Sequence, residues 1–115
     1  MKYFTHSEFD SPDAPGSGNN MCNDFLAMLD NARDIAGIPF KINSGMRTIA
    51  HNRSLGSKDT SSHIKGLAAD IHCNNSSDRS KIVAALIQAG FRRLGIAETF
   101  VHVDCDQKFN AIWLY

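Results

Sequence analysis

The sequence predicts a single α+β domain spanning residues 1–115, with a mainly antiparallel sheet and helices packed on one face. Three observations lead there. The 115 residues are the size of one domain and too few to divide into two with proper cores. Two segments carry apolar residues at the helical period, and several others are short runs of strand length. The last three of those runs follow one another directly, which favours antiparallel pairing over alternating βαβ units. No internal repeat or linker interrupts the pattern.

In chain order, Thr5-His6-Ser7-Glu8 fits a capping box, so a short helical turn begins there. The segment Asp10 to Gly18 is loop by its prolines and glycines. Met21, Cys22, Phe25, Met28, Leu29, Ala32 and Ile35 recur at helical spacing and predict a helix over Met21–Ala36. Gly37 and Pro39 stop it. Phe40–Asn43 reads as a short strand leading into Ser44-Gly45-Met46-Arg47. Residues 48–62 are polar and rich in Ser, Asn and Gly, a long surface loop with about one helical turn, and such loops are usually functional or disordered. Leu67–Cys73 reads as a strand. Ser80–Ala89 is a second amphipathic helix through Ile82, Val83, Leu86 and Ile87, closed by Gly90. Phe91–Ile96, Phe100–Cys105 and Ala111–Tyr115 complete the strands.

Composition narrows the function. Twelve basic residues balance twelve acidic ones, which argues against a general nucleic-acid binder. Local basic groups at Arg47, Arg53 and Lys58, and at Arg92 and Arg93, read first as solvated faces. No apolar run is long enough to span a membrane, and the N-terminus shows no secretory signal. A substrate outside the cytoplasm would therefore have to be reached by release or export. Three cysteines, Cys22, Cys73 and Cys105, match neither a CxxC zinc motif nor a disulfide scaffold, and are expected as free thiols. A monomer is expected.

Two segments concentrate chemistry: Ser61-Ser62-His63-Ile64-Lys65-Gly66-Leu67-Ala68-Ala69-Asp70-Ile71-His72 and Phe100-Val101-His102-Val103-Asp104. Residues two apart on a strand face the same side, so Asp70 shares a face with His72, and His102 with Asp104. Two neighbouring strands of this kind can bring imidazoles and carboxylates to one point. A catalytic zinc asks for about three N or O ligands and one open position.

The run Ser44-Gly45-Met46-Arg47, then His51-Asn52, then SxHxxGxAxD from Ser61 to Asp70, then Phe100-Val101-His102-Val103-Asp104, resembles the M15 family of zinc peptidases. Within it the likeness is to the small branch of D-alanyl-D-alanine carboxypeptidases and phage endolysins, and it extends from Tyr3-Phe4-Thr5 to Trp113 and Tyr115. The resemblance implies a fold like that of the hedgehog signalling domains and the DD-peptidases. It implies Zn2+ held by His63, Asp70 and His102, with peptide stems of peptidoglycan as substrate. Arg47 would bind a substrate carboxylate or stabilise the oxyanion, tasks that suit a planar, permanently charged guanidinium. Ser62 would shape the loop into His63 or bind near the metal. The lack of a signal and of a separate wall-binding domain is what a phage lysis protein or a cytoplasmic product released late would show, and a fragment of a larger secreted protein would look the same.

The general base departs from the family pattern. The family places an acid three positions before the last histidine ligand, where this chain has Thr99. Two substitutes are open: Glu98, in the preceding turn, and Asp104, which shares a strand face with His102 and can alternatively orient that ligand. His72 is a partly exposed neighbour, His6 a surface residue and His51 structural. Cys73 and Cys105 point away from the metal face and could pack or bridge there if their strands are neighbours. A catalytically silent, zinc-stabilised wall-binding module is the alternative function. Exo- or endopeptidase action would turn on residues 48–61.

Overall fold

The computed structural model describes residues 1–115. Its organising feature is a five-stranded sheet in the order β1-β2-β4-β3-β5, formed by β1 (Ile42–Ser44), β2 (Ala68–His72), β3 (Arg93–Ile96), β4 (Phe100–Asp104) and β5 (Ala111–Leu114). Alternation along these strands divides the residues by polarity. Ala69 and Ile71 of β2, Val101 and Val103 of β4 and Leu94 of β3 are buried in the hydrophobic core. Asp70, His102 and Asp104 occupy the intervening positions, so one face of the sheet is apolar and the other carries the chemistry.

The apolar face is covered by α1 (Asn23–Ala36) and α3 (Ser76–Gln88), which pack against each other. The first contributes Phe25, Leu26, Leu29 and Ala32 to the core, and the second Ile82, Ala85 and Leu86. Phe25 meets Phe91 edge to face at a centroid distance of 5.6 Å. Each such large apolar side chain withdrawn from water contributes about 1.5–3 kcal/mol before the entropy of ordering is subtracted. The fold is thus the expected α+β domain with helices on one face. The short α2 (Ile49–Ser54) is the helical turn expected in the long loop, capped by Thr48, whose hydroxyl accepts from the His51 N–H at 3.1 Å. No helix is long and apolar enough to cross a membrane.

Two differences from expectation have local causes. Helix α3 starts four residues earlier than its apolar pattern, because Asn75 caps it by accepting from the Asp78 N–H at 2.8 Å. Strand β5 pairs with β3 in parallel, while the other pairs are antiparallel. The chain turns back after β4, passes the start of β3 and runs alongside it.

The cysteines are free, as expected, and only the alternative that Cys73 and Cys105 pack together or bridge is corrected. Strands β2 and β4 are antiparallel neighbours, so residues following their C-terminal ends lie at opposite ends of the pair. The Cys73 N–H donates to Thr99 O at 3.0 Å, whereas the Cys105 N–H donates to Leu67 O at 3.1 Å. The length of β2, about 3.3 Å per residue, separates the two thiols, and no bridge joins them. All three cysteines are free.

Register then aligns one residue from each strand across the polar face: Ser44, Asp70, His102, Gly95 and Trp113. Gly95 is the vacancy in this row. A Cβ there would sit 2.6 Å from Trp113 Nε1 and 2.7 Å from Tyr115 Cε2, so its absence admits both rings over β3. The indole lies against His102, with centroids 5.4 Å apart. Gly95→Ala is therefore expected to displace Trp113 and shift the emission of this single tryptophan, with a stability loss of about 1–3 kcal/mol and unchanged helical circular dichroism. An unaltered emission spectrum would show that the ring does not depend on the vacancy.

Candidate metal centre

His63, Asp70 and His102 converge. Asp70 and His102 are register partners on β2 and β4, and His63 arrives from the turn before β2. That turn is held by three backbone bonds: Arg47 N–H to His63 O at 3.2 Å, Leu67 N–H to Ser62 O at 3.1 Å, and Cys22 N–H to Gly66 O at 3.0 Å. Gly66 has φ +71°, and a Cβ on it would lie 2.7 Å from Asn20 O. Only glycine reconciles that backbone with so close a neighbour. One ligand atom from each of the three residues falls within 4.8 Å of the others. The nearest approaches are His102 Nδ1 to Asp70 Oδ1 at 2.8 Å and His63 Nε2 to the same oxygen at 3.4 Å.

The opposite atom of each group is held from outside. His63 Nδ1 is 2.8 Å from Gly45 O, so it carries the proton and leaves Nε2 with a free lone pair. His102 Nε2 is 2.8 Å from Asp104 Oδ2, which leaves Nδ1 facing Asp70. Asp70 Oδ2 accepts from Arg47 Nη2 at 3.2 Å, which leaves Oδ1 inward. Two imidazoles and one carboxylate with their outer atoms pinned form a donor set suited to a divalent transition metal. These three residues can hold a metal ion.

Charge is balanced pair by pair around this centre. Burial works against the Asp70 carboxylate, but bonds and charges from His102 and His63 outweigh it and hold its pKa well below the usual range. Burial likewise opposes a charged His102, and Asp104 and Asp70 together raise its pKa. Asp104 is almost fully enclosed. Its Oδ1 accepts from Arg93 Nε at 2.7 Å and from the Asp106 N–H at 3.1 Å, and its Oδ2 faces His102. Burial raises the Asp104 pKa, but the bonds from His102 and Arg93 prevail and lower it. Both oxygens are thus occupied, and this geometry matches the orienting role more closely than that of a base.

The other site candidates separate clearly. Arg47 lines the same cleft as the triad, a cavity of about 440 Å³. Its Nε donates to Ser44 Oγ at 2.9 Å and its Nη1 to Asn52 Oδ1 at 3.2 Å. Ser62 is buried at the cleft wall with its hydroxyl donated to Asp106 Oδ2 at 2.7 Å, so it braces the loop below His63. Glu98, the other candidate base, is exposed in the turn between β3 and β4 and does not line the cleft. Thr99 is exposed beside it. His72, at the end of β2, is exposed and outside the cleft; His51 lies in α2 and His6 is exposed.

Several site residues escaped the sequence reading. Arg93, read as part of a solvated face, is an ion-pair partner of Asp104 with its side chain 14% exposed. Its only sequence signal was a place on the same face as Gly95. Asn52 is completely buried, and its Nδ2 donates to Lys58 O at 2.8 Å while its oxygen holds Arg47. Its sequence signal was its place in the His51-Asn52 pair of the family resemblance, which assigned it no role. Lys58 and Lys108 also line the cleft.

A family model described as Peptidase M15 matches residues 2–106. Comparison with curated proteins returns no match. The family match covers most of the chain, including all three converging residues, and ends before β5.

Two outcomes follow from the outer contacts. Asp104→Asn, which replaces the charged acceptor on His102 Nε2 with a neutral amide that can also present an N–H to the ring, should weaken affinity for added zinc by about 10–100-fold, measured by competition with a chelating dye; unchanged affinity would contradict the orienting role. Asp106 resists its burial through bonds from Ser62 and Lys65, which bring its pKa from 3.8 to about 2. A depressed carboxyl stabilises the fold above its unfolded pKa, and that contribution is lost as pH falls through the folded value. Asp106→Asn should therefore lower stability at neutral pH and flatten its decline between pH 4 and 2, read from urea unfolding; an unchanged acid limb would contradict this.

Proposed function

The chain belongs to the M15 peptidase family, and we propose that it hydrolyses peptide bonds in the stem peptides of peptidoglycan with zinc held by His63, Asp70 and His102. The observation that carries this reading is the convergence of three inward-facing ligand atoms on a cleft that a peptide can occupy. Zinc in such a site supplies Lewis-acid polarisation and a nucleophile active at neutral pH.

The chain's own residues do the rest. Gly45 O and Asp104 keep both imidazoles in the ligating tautomer. Arg47 is fixed at three of its donors by Ser44, Asn52 and Asp70, and a guanidinium has five N–H groups. The remaining N–H groups can receive a substrate carboxylate or the oxyanion of the tetrahedral intermediate. Preorganisation of this kind lowers the cost of orienting the donor when charge develops. A D,D-carboxypeptidase and an endolysin-type endopeptidase both fit these roles. On either, the protein works as a monomer and meets its substrate in the wall after release or export.

One observation favours a second reading, a catalytically silent wall-binding module. The carboxylates that line the cleft are Asp70 and Asp104, and both are committed to cations or imidazoles. The deciding experiment is mass spectrometry of purified peptidoglycan incubated with the zinc-loaded protein, with a chelator-treated control. Expected is loss of terminal alanine or cleavage within the stem that disappears with chelation. Intact stems from several wall types, with zinc bound, would favour the silent module. In the active case Arg47→Ala should lower kcat/KM by about 10²–10³-fold while zinc affinity falls far less; a loss of tenfold or less would contradict its role.

A further inference from the structure

The chain as a whole is electrically neutral, but its cleft is not. The lining side chains include four cations, Arg47, Lys58, Arg93 and Lys108, against two carboxylates, Asp70 and Asp104. Two of the cations are matched within the site: Arg47 with Asp70 at 3.2 Å and Arg93 with Asp104 at 2.7 Å. The lysines are the surplus.

Lys58 makes no ion pair, since the carboxylate next to it in sequence, Asp59, is taken by Arg53 at 2.6 Å. Lys108 lies 3.5 Å from Asp106, but that carboxylate is closer to Lys65, at 3.0 Å, and also accepts from Ser62. One negative charge is therefore shared between two ammonium groups. Neither lysine sits on a loose segment. The Lys58 carbonyl accepts from Asn52 Nδ2 at 2.8 Å and from the Ser61 N–H at 3.0 Å. The Lys108 ammonium donates to Thr60 O at 3.3 Å, which ties the β4–β5 loop to the loop before His63 across the rim.

The cleft is also polarised along the strands. Phe100 and Tyr115, with ring centroids 5.0 Å apart, lie at the end of the sheet where β4 begins. Lys108 follows the opposite end, beyond Asp104. An apolar group and an anionic group of one extended peptide can thus be received at different ends, on either side of the triad.

From this arrangement we infer that the cleft selects stem peptides bearing a free carboxylate in addition to the one available to Arg47, and that Lys58 and Lys108 receive it. The inference rests on the peptidase reading of the same site. One stem-peptide residue that meets the description is a D-glutamate linked through its γ-carboxyl, whose α-carboxylate is free; in amidated walls that group is a neutral carboxamide. A rim charge is screened and contributes modestly. It acts equally on ground and transition states, and so belongs in KM rather than kcat.

The test compares two synthetic stem pentapeptides that differ only at this group, D-glutamate against its α-amide. Each is assayed for hydrolysis by the zinc-loaded protein and for binding through the emission of Trp113, the one tryptophan, which lines the cleft. The amidated peptide should show a KM and Kd about three- to tenfold higher at similar kcat. The gap should narrow as salt is raised and close to within about twofold in the Lys58→Gln/Lys108→Gln variant. Equal affinities of the wild-type protein for the two peptides would overturn the inference and leave the peptidase reading standing. A binding preference without hydrolysis of either would do the reverse. Absence of binding by both would overturn the two together.

Discussion

The pairing of β2 with β4 sets two neighbouring Asp and His side chains on the sheet face that the helices leave open. In the register Asp70↔His102, the strands turn Ala69, Ile71, Val101 and Val103 to the core and Asp70, His102 and Asp104 to the site. A slip of β4 by one residue would bury His102 and Asp104 beneath α1 and α3 and expose Val101 and Val103. The hydrophobic core therefore enforces the geometry of the candidate metal centre, and the site gains its precision from packing on the far side of the sheet.

Burying that much charge is costly unless each group has a partner. Here the partners form a second ring. Asp70 answers to Arg47, Asp104 to Arg93, and Asp106 to Lys65 and Ser62. These contacts also do the orienting, so stability and function draw on the same bonds. The ring extends to elements remote in sequence: Asn52 in α2 fixes Arg47, and Gly95 in β3 makes room for the indole beside His102.

The sequence disclosed what is periodic or what is a motif. Alternation in Phe100–Asp104 and Leu67–Cys73 located the two strands and their polar face, and the SxHxxGxAxD and HVD segments named the residues that converge. It did not disclose what depends on pairing between distant strands. Arg93 looked solvated because only the β3–β4 register brings it to Asp104. Cys73 and Cys105 shared a face, but alternation says nothing of which end of a strand pair a residue occupies. Glu98 neighboured the site in sequence and was carried out of it by the turn. The start of α3 lacked an apolar signal because Ser76 to Arg79 form its polar first turn, held by the Asn75 cap.

The central claim is that His63, Asp70 and His102 bind one zinc through particular atoms, with Asp104 behind His102. Anomalous diffraction at the zinc edge, from crystals of the protein loaded with one equivalent of zinc, addresses it directly. The predicted result is a single peak bonded to His63 Nε2, Asp70 Oδ1 and His102 Nδ1, with His102 Nε2 still on Asp104. A peak bonded instead to His102 Nε2 and Asp104, or one placed at His51 or His72, would contradict the account.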